Sequence, residues 1–309
     1  MTRLWFRMPL FFKFAKALCC VLATLAGAVL AWSNAWPDLN LSQYVSQKWD
    51  IRDGLSQNSI SQIAQTDNGF LWLGSQEGVV RFDGFDFRVF DKANTPIFTA
   101  NEISVLVSDQ QGGLWLGFNG GGILHWQNGE FSRPIHDERI INAHIRCLLP
   151  DGPGRLYIGT ETLGLFLFSK NGLERLAGPF GGQGIRGLAK WGESGLLVGS
   201  YGEGVLAYEE GIFRNISLGN YRFANFVNAI VEAPGKGFLV GTDGGLFLIS
   251  EFAVKTIAHF PENPKLNQIR DVCLGEDHQI WWATDEGVSR YSDGRIEHFN
   301  ITQEDVPTR

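Results

Sequence analysis

The chain has 309 residues, 44% of them hydrophobic and 19% charged, with 38 glycines and a formal charge of −7. This composition excludes a disordered polypeptide, and the acidic balance excludes non-specific binding to nucleic acid or to an anionic membrane surface. The length suits one large domain or two ordinary ones.

Residues 1–35 stand apart. Arg3, Arg7, Lys13 and Lys16 give a basic start, an apolar run extends from Ala17 to Trp32, and Ser33-Asn34-Ala35 follows. Basic, apolar and small residues in that order form a secretory signal with cleavage after Ala35. The alternative is a retained membrane anchor. The run is short of the roughly 20 residues a span needs, but Leu10 to Phe14 lengthen it if Lys13 snorkels. Without this segment 22 basic residues face 33 acidic ones, a formal charge of −11. Cys19 and Cys20 lie inside it, so Cys147 and Cys273 remain, and these read as two free, buried thiols rather than a disulfide.

Residues 36–57 form a lead segment. Within it, Ser42-Gln43-Tyr44-Val45-Ser46-Gln47-Lys48-Trp49 has the character of an outer strand without its partners. From residue 58 to 309 the chain is repetitive. An apolar pair followed by a small residue recurs six times: Trp72-Leu73-Gly74, Trp115-Leu116-Gly117, Tyr157-Ile158-Gly159, Leu197-Val198-Gly199, Leu239-Val240-Gly241 and Trp281-Trp282-Ala283. The last positions are separated by 43, 42, 40, 42 and 42 residues. Several short strands at that period predict a β-propeller, which makes the repeat region one domain.

Two columns confirm the alignment. Fourteen positions before the motif's last residue lie Ile60, Ile103, Ile145, Ile185, Val227 and Ile269; eleven before it lie Ile63, Leu106, Leu148, Leu188, Ile230 and Val272. An i, i+3 spacing also suits a helical turn, but the segments are short and β-branched, so a strand buried on both faces is expected. Turns follow at Asp67-Asn68-Gly69 and its equivalents, and the motif forms a second, continuously apolar strand. A third strand (Gly78 to Phe82 in the first repeat) and hairpins such as Asp83-Gly84, Asn128-Gly129 and Asp293-Gly294 lead to an outer strand. Each repeat is therefore a four-stranded antiparallel blade. Only ten residues follow Phe299, too few for the three strands that would join the orphan outer strand. The expectation is a seven-bladed ring with its last blade truncated, and a six-bladed ring is the alternative.

One stretch is more specific than a generic propeller. Trp49-Asp50-Ile51-Arg52-Asp53-Gly54-Leu55-Ser56-Gln57-Asn58-Ser59-Ile60 runs into Phe70-Leu71-Trp72-Leu73-Gly74-Ser75, Gly78-Val79-Val80-Arg81-Phe82-Asp83-Gly84 and Phe87-Arg88-Val89-Phe90. It closely resembles the two-component regulator propeller repeat of bacterial periplasmic sensor proteins. The resemblance runs from about residue 44 to 299, specific in repeats one, two and six and looser in three to five. It implies a periplasmic, ligand-sensing input module whose output, a histidine kinase or diguanylate cyclase, has no signature in this sequence. A homodimer and a downstream signalling module are the partners it implies.

Candidate site residues come from the same columns. Sixteen positions before the motif's end, Asn58, Asn101, Gln183, Asn225 and Asn267 form a polar column with a gap at Ala143. Such amides satisfy main-chain groups where a strand begins, or they form a ring that binds a polar ligand such as a glycan. Thirteen positions before it lie Arg146, Arg186 and Arg270, with Ser61, Ser104 and Asn228 in the other repeats. Arginine forks bind carboxylate or phosphate, so an anionic ligand is one expectation. Pairing with acids such as Glu102 or Asp271, or stacking on aromatics, is the other. His144, one residue before the inner strand of repeat three, is a further candidate for the channel. No catalytic set, metal set or cofactor is expected: His125, His136, His144, His259, His278 and His298 fall at different repeat positions. A secreted lyase or glycosidase using His144 with Glu102, or a protein-interaction scaffold, is the competing reading.

Overall fold

A computed structural model describes residues 49–299 apart from 181, 193, 251–252 and 276–278. The proposed signal or anchor, the strand at 42–48 and the last ten residues lie outside the described residues.

The six repeats are six separate four-stranded antiparallel sheets, each ordered by sequence from an inner to an outer strand. In blade one the strands are Gln62–Gln65, Leu71–Ser75, Gly78–Phe82 and Phe87–Phe90. The inner strands of the following blades are Ile103–Ser108, Ile145–Pro150, Ile185–Trp191, Val227–Ala233 and Asp271–Leu274, and from blade one to blade six each lies against the next. A four-residue helix, Glu138–Ile141, capped by the Asp137 side chain, and a 3-10 turn, Pro264–Asn267, fall in connections between blades. The fold is an all-β propeller, as the period requires.

The repeat motif is apolar throughout because it is covered on both sides. Every residue of Leu114–Phe118 and of Leu156–Thr160 is buried. Trp72 is fully buried and meets Trp126 of blade two edge-on at 4.9 Å, so the motif tryptophan is interblade packing. The glycine that ends the motif is where the next blade presses closest. A Cβ at Gly74 would lie 2.7 Å from Ile103 Cγ2, at Gly117 2.8 Å from Ile145 Cγ2, and at Gly199 2.5 Å from Val227 Cγ1. The glycine and the isoleucine column fourteen positions upstream in the next repeat are thus two halves of one contact.

The i, i+3 pattern has a specific structural cause. In a regular strand residues three apart face opposite sides, yet both columns pack on the preceding blade. Ile103 and Leu106 join the core with blade one, and Ile145 and Leu148 join that with blade two. A β-bulge reconciles the two. The ladder skips Ser104 in blade two, Arg146 in three, Arg186 in four and Asn228 in five. One extra residue returns the strand to the same face and turns the bulged side chain out of the sheet.

The two thiols differ. Cys147 is buried against blade four, its thiol donating to the Ile185 carbonyl at 3.2 Å. Cys273 is exposed, contrary to expectation, because it lies on the flank of blade six that faces no described blade.

Candidate functional site at the channel mouth

The bulges gather one repeat position at the inner end of the blades. Opposite it stands the residue two positions past the motif's end: Gln76, Asn119, Glu161, Tyr201, Asp243 and Asp285. Main-chain bonds hold this second position beside the bulge. The Glu161 amide donates to His144 O at 2.9 Å, that of Tyr201 to Gly184 O at 2.8 Å, and that of Asp243 to Phe226 O at 3.0 Å.

Between these positions the side chains form a band from blade three to blade six. Arg146 pairs with Glu161 of its own blade, and Arg186 reaches the same carboxylate at 3.8 Å. Arg186 donates to Asn228 Oδ1 at 3.1 Å and stacks over Tyr201, 3.7 Å from the ring centroid. Asn228 donates to Asp243 at 2.8 Å and to the Ile269 carbonyl of blade six at 2.9 Å. Tyr201 donates to Asp243 at 2.9 Å. Arg270 makes a two-pronged pair with Asp285 at 2.7 and 2.8 Å and approaches Asp243 at 3.7 Å. Three arginines therefore face three carboxylates, and the band is close to neutral. Blades one and two carry uncharged Ser61, Gln76, Ser104 and Asn119 at these positions.

The electrostatics follow from this pairing. Burial pushes the Glu161 carboxyl up, but the hydrogen bond from Arg146 and the charges of Arg146 and Arg186 hold it below the usual carboxylate range. Asp285 is held down by the Arg270 hydrogen bond. Burial, and then the neighbouring Arg146, lower the guanidinium of Arg186. His144 is lowered by burial and by Arg146, so its ring stays neutral at neutral pH. Two buried polar atoms of the bulge column, Arg186 Nε and Ser104 Oγ, have no hydrogen-bond partner among the described residues. Unpaired donors at such a position are costly unless something accepts from them.

The amide column sits differently. Asn58 accepts from the Ile51 amide at 3.0 Å, Asn101 from that of Lys92 at 2.9 Å, and Asn267 from that of Phe260 at 2.7 Å. Asn267 also donates to the Phe260 carbonyl at 3.0 Å. These three clamp the connections that enter the inner strands. Gln183 and Asn225 are exposed and lie over Gly202 and Gly204 in the turn of blade four. The structure thus brings together Arg146, Arg186, Arg270 and His144, and places the amides in surrounding loops. The arginines' acidic partners are Glu161, Asp243 and Asp285; Glu102 instead accepts from Asn119 at 3.0 Å, and Asp271 from the Val272 amide at 2.8 Å. Counting two positions forward from the motif, rather than only backward, would have shown these partners. Among the described residues no three His, Cys, Asp or Glu side chains are arranged to hold a metal ion, and no helix is long and apolar enough to cross a membrane.

Fold and site together define a repeat propeller with a polar band along the bulges of its inner strands. Residues 54–77 match the family described as two component regulator propeller, so the first blade carries a repeat of that family, as the sequence resemblance implied. A 49-residue stretch is 39% identical to the protein named histidine kinase P4 of Formosa agariphila, covering 16% of this chain and 4% of that one. The extracellular domain of the putative hybrid two component system BT3049 of B. thetaiotaomicron shares the fold, with a TM-score of 0.70 and 18% identity over 83% of this chain and 37% of that one. So does a catalytically inactive virginiamycin B lyase of Staphylococcus aureus, with a TM-score of 0.65 and 13% identity over 79% of this chain and 85% of that one. The chain thus spans a small part of the kinase it matches and over a third of the two-component domain.

Proposed function

We propose that this propeller is the periplasmic, ligand-sensing input module of a bacterial signal-transduction protein, with a histidine kinase or diguanylate cyclase as its output. It takes no catalytic role of its own. A small polar ligand, an anion or a glycan, binds at the band of Arg146, Arg186 and Arg270, with His144 at its edge and Gln183 and Asn225 on the loops around it. Binding reorients the propeller as a rigid body against its neighbouring module or its second copy in a homodimer. The observation that carries this reading is the band itself. It is fixed by bulges in consecutive blades, holds donors and acceptors in alternation, and retains a buried, unpartnered Arg186 Nε. Bulges next to functional sites commonly re-aim a side chain in this way.

A thermal-shift screen of neutral and acidic sugars against the wild type and Arg186→Met tests it. A ligand at 100 times its Kd adds about 2.7 kcal/mol, or roughly 5–11 °C of Tm for a domain this size. The reading expects a shift of that order in the wild type and a much smaller one in the variant. Equal shifts in both place the ligand elsewhere.

A second reading, a lyase-like enzyme, rests on His144, whose ring is held neutral as a general base requires and which feels the charges of Glu161 and Glu102. Turnover of a sugar or peptide substrate that His144→Ala abolishes selects this reading over the sensor.

A further inference from the structure

The connection from blade four to blade five departs from the repeat at two adjacent residues. Nineteen positions before the motif's end, blades one to four have the buried apolar side chains Leu55, Phe98, Ile140 and Phe180, and blade six has Pro264. Blade five places Arg222 there, exposed. The next residue, Phe223, has a φ of 65° and is 47% exposed. Left-handed backbone is sterically unfavourable for a bulky side chain, and it persists only where the surroundings hold it.

The loop is held from both sides. The Asn225 carbonyl accepts from the amides of Gly202 and Gly204 of blade four at 2.9 and 3.1 Å. Toward blade five, Thr256 donates to the Tyr221 hydroxyl at 3.1 Å, and a Cβ at Gly244 would lie 2.5 Å from the Arg222 carbonyl oxygen. The loop also borders the polar band. Phe223 meets Phe226 at 5.8 Å, Phe226 meets Tyr201 at 4.8 Å, and Tyr201 is the ring beneath Arg186.

Arg222 lies over the Phe223 ring, 4.5 Å from its centroid, and its guanidinium has no hydrogen-bonded or acidic partner among the described residues. The arginines of the band are in the opposite state. Arg146 and Arg270 are committed to Glu161 and Asp285, and Arg186 to Asn228 and Glu161. An acid entering the band competes with these carboxylates, whereas at Arg222 it displaces only water. A guanidinium already held over a ring loses less side-chain freedom when it forms a two-pronged pair with an oxyanion.

We infer that Arg222, held by Phe223, takes the acidic group of the ligand, while the self-neutralised band takes its hydroxyls, to which arginine donates and from which carboxylate accepts. The inference rests on the sensor reading and narrows it. The ligand class is a sugar carrying a carboxylate or a phosphate, rather than a neutral sugar or a small inorganic anion. The anion contact thereby moves from the arginine column to a residue that no repeat position marks.

Titration calorimetry of the purified protein with glucuronate, glucose 6-phosphate, glucose and inorganic phosphate tests this, with Arg222→Gln, Arg222→Lys and Phe223→Gly as variants. Arg222 is exposed and glycine adopts a φ of 65° readily, so all three variants should fold, as circular dichroism will show. One of the two acidic sugars should bind the wild type about tenfold or more tightly than glucose or phosphate, and which one it is separates carboxylate from phosphate. Arg222→Gln should remove that advantage, Arg222→Lys should keep part of it, and Phe223→Gly should reduce it. An acidic sugar whose affinity falls in Arg186→Met but not in Arg222→Gln overturns the role of Arg222 and leaves the band as the binding site. Acidic sugars that bind no better than glucose or phosphate, or that do not bind at all, overturn the ligand class, and the sensor reading then rests on the thermal-shift screen alone.

Discussion

Gly117→Ala places one methyl group where the neighbouring side chains leave no room for a Cβ. The new Cβ would lie 2.6 Å from Val105 Cγ1, 2.8 Å from Ile145 Cγ2 and 2.9 Å from Ile145 Cβ. Carbon atoms at optimal separation are about 3.5–4.0 Å apart, so roughly 1 Å must open both within blade two, at Val105, and between blades two and three, at Ile145. Overpacking of this kind costs about 1–3 kcal/mol. At about 2–4 °C per kcal/mol for a domain of this size, the Tm should fall by about 2–12 °C, measured by differential scanning calorimetry. A double-mutant cycle identifies the cause. Ile145→Ala alone should cost about 2–5 kcal/mol. Because it also removes the clashing Cγ2, the double variant should be at least about 1 kcal/mol more stable than the sum of the single effects. A Tm within 1 °C of the parent for Gly117→Ala, or strict additivity in the cycle, would refute the pairing of motif glycine with the next blade's isoleucine.

Other expectations follow from the same packing and charges. Asn267→Ala leaves the Phe260 amide and carbonyl without their partners and should cost about 1–3 kcal/mol in a urea titration, with no change in the m-value. Trp72→Ala empties the core between blades one and two and should cost about 3–5 kcal/mol; a loss under 1 kcal/mol would mean that this interface closes without it. The Glu161 carboxyl is depressed in the folded state, so the unfolded chain binds the proton first as pH falls. Its contribution is present above the ordinary carboxylate value of about 4.3 and is lost as pH drops through the folded value. Asp285 acts in the same direction. Denaturation midpoints should therefore decline steadily on acidification below that range. Glu161→Gln should make the decline shallower, and an unchanged slope would show that the pair with Arg146 adds nothing to acid stability.

The repeat, the blade count among the described residues and the packing role of the motif tryptophans were all legible in the sequence, because each depends on a residue type recurring at a fixed position. The bulge was not. It appears in the sequence only as Ile145 and Leu148 three apart, a spacing that also suits a helical turn, and the ladder is needed to show that Arg146 is skipped. That one residue decides the site, since it turns Arg146 and Arg186 out of the sheet toward Glu161. The arginines were found as a column, but their partners were sought at Glu102, two repeat positions away in another blade, and at Asp271, the residue after Arg270. The actual partners lie across the hairpin, where Arg270 meets Asp285 fifteen residues on. Cys147 and Cys273 were both expected to be buried, and only Cys147 is. Burial depends on a neighbouring blade, and no residue of the thiol's own repeat reveals whether one is there.

The most direct test of the sensor account is isothermal titration calorimetry of the purified propeller with the sugars or anions that raise its Tm, repeated on Arg186→Met and Asn228→Ala after circular dichroism has shown both folded. Loss of a hydrogen bond to a charged group is worth about 1.5–3 kcal/mol, so the account predicts saturable binding without turnover that weakens about tenfold or more in Arg186→Met. Affinity that is unchanged in both variants, or consumption of the compound during the titration, would contradict it.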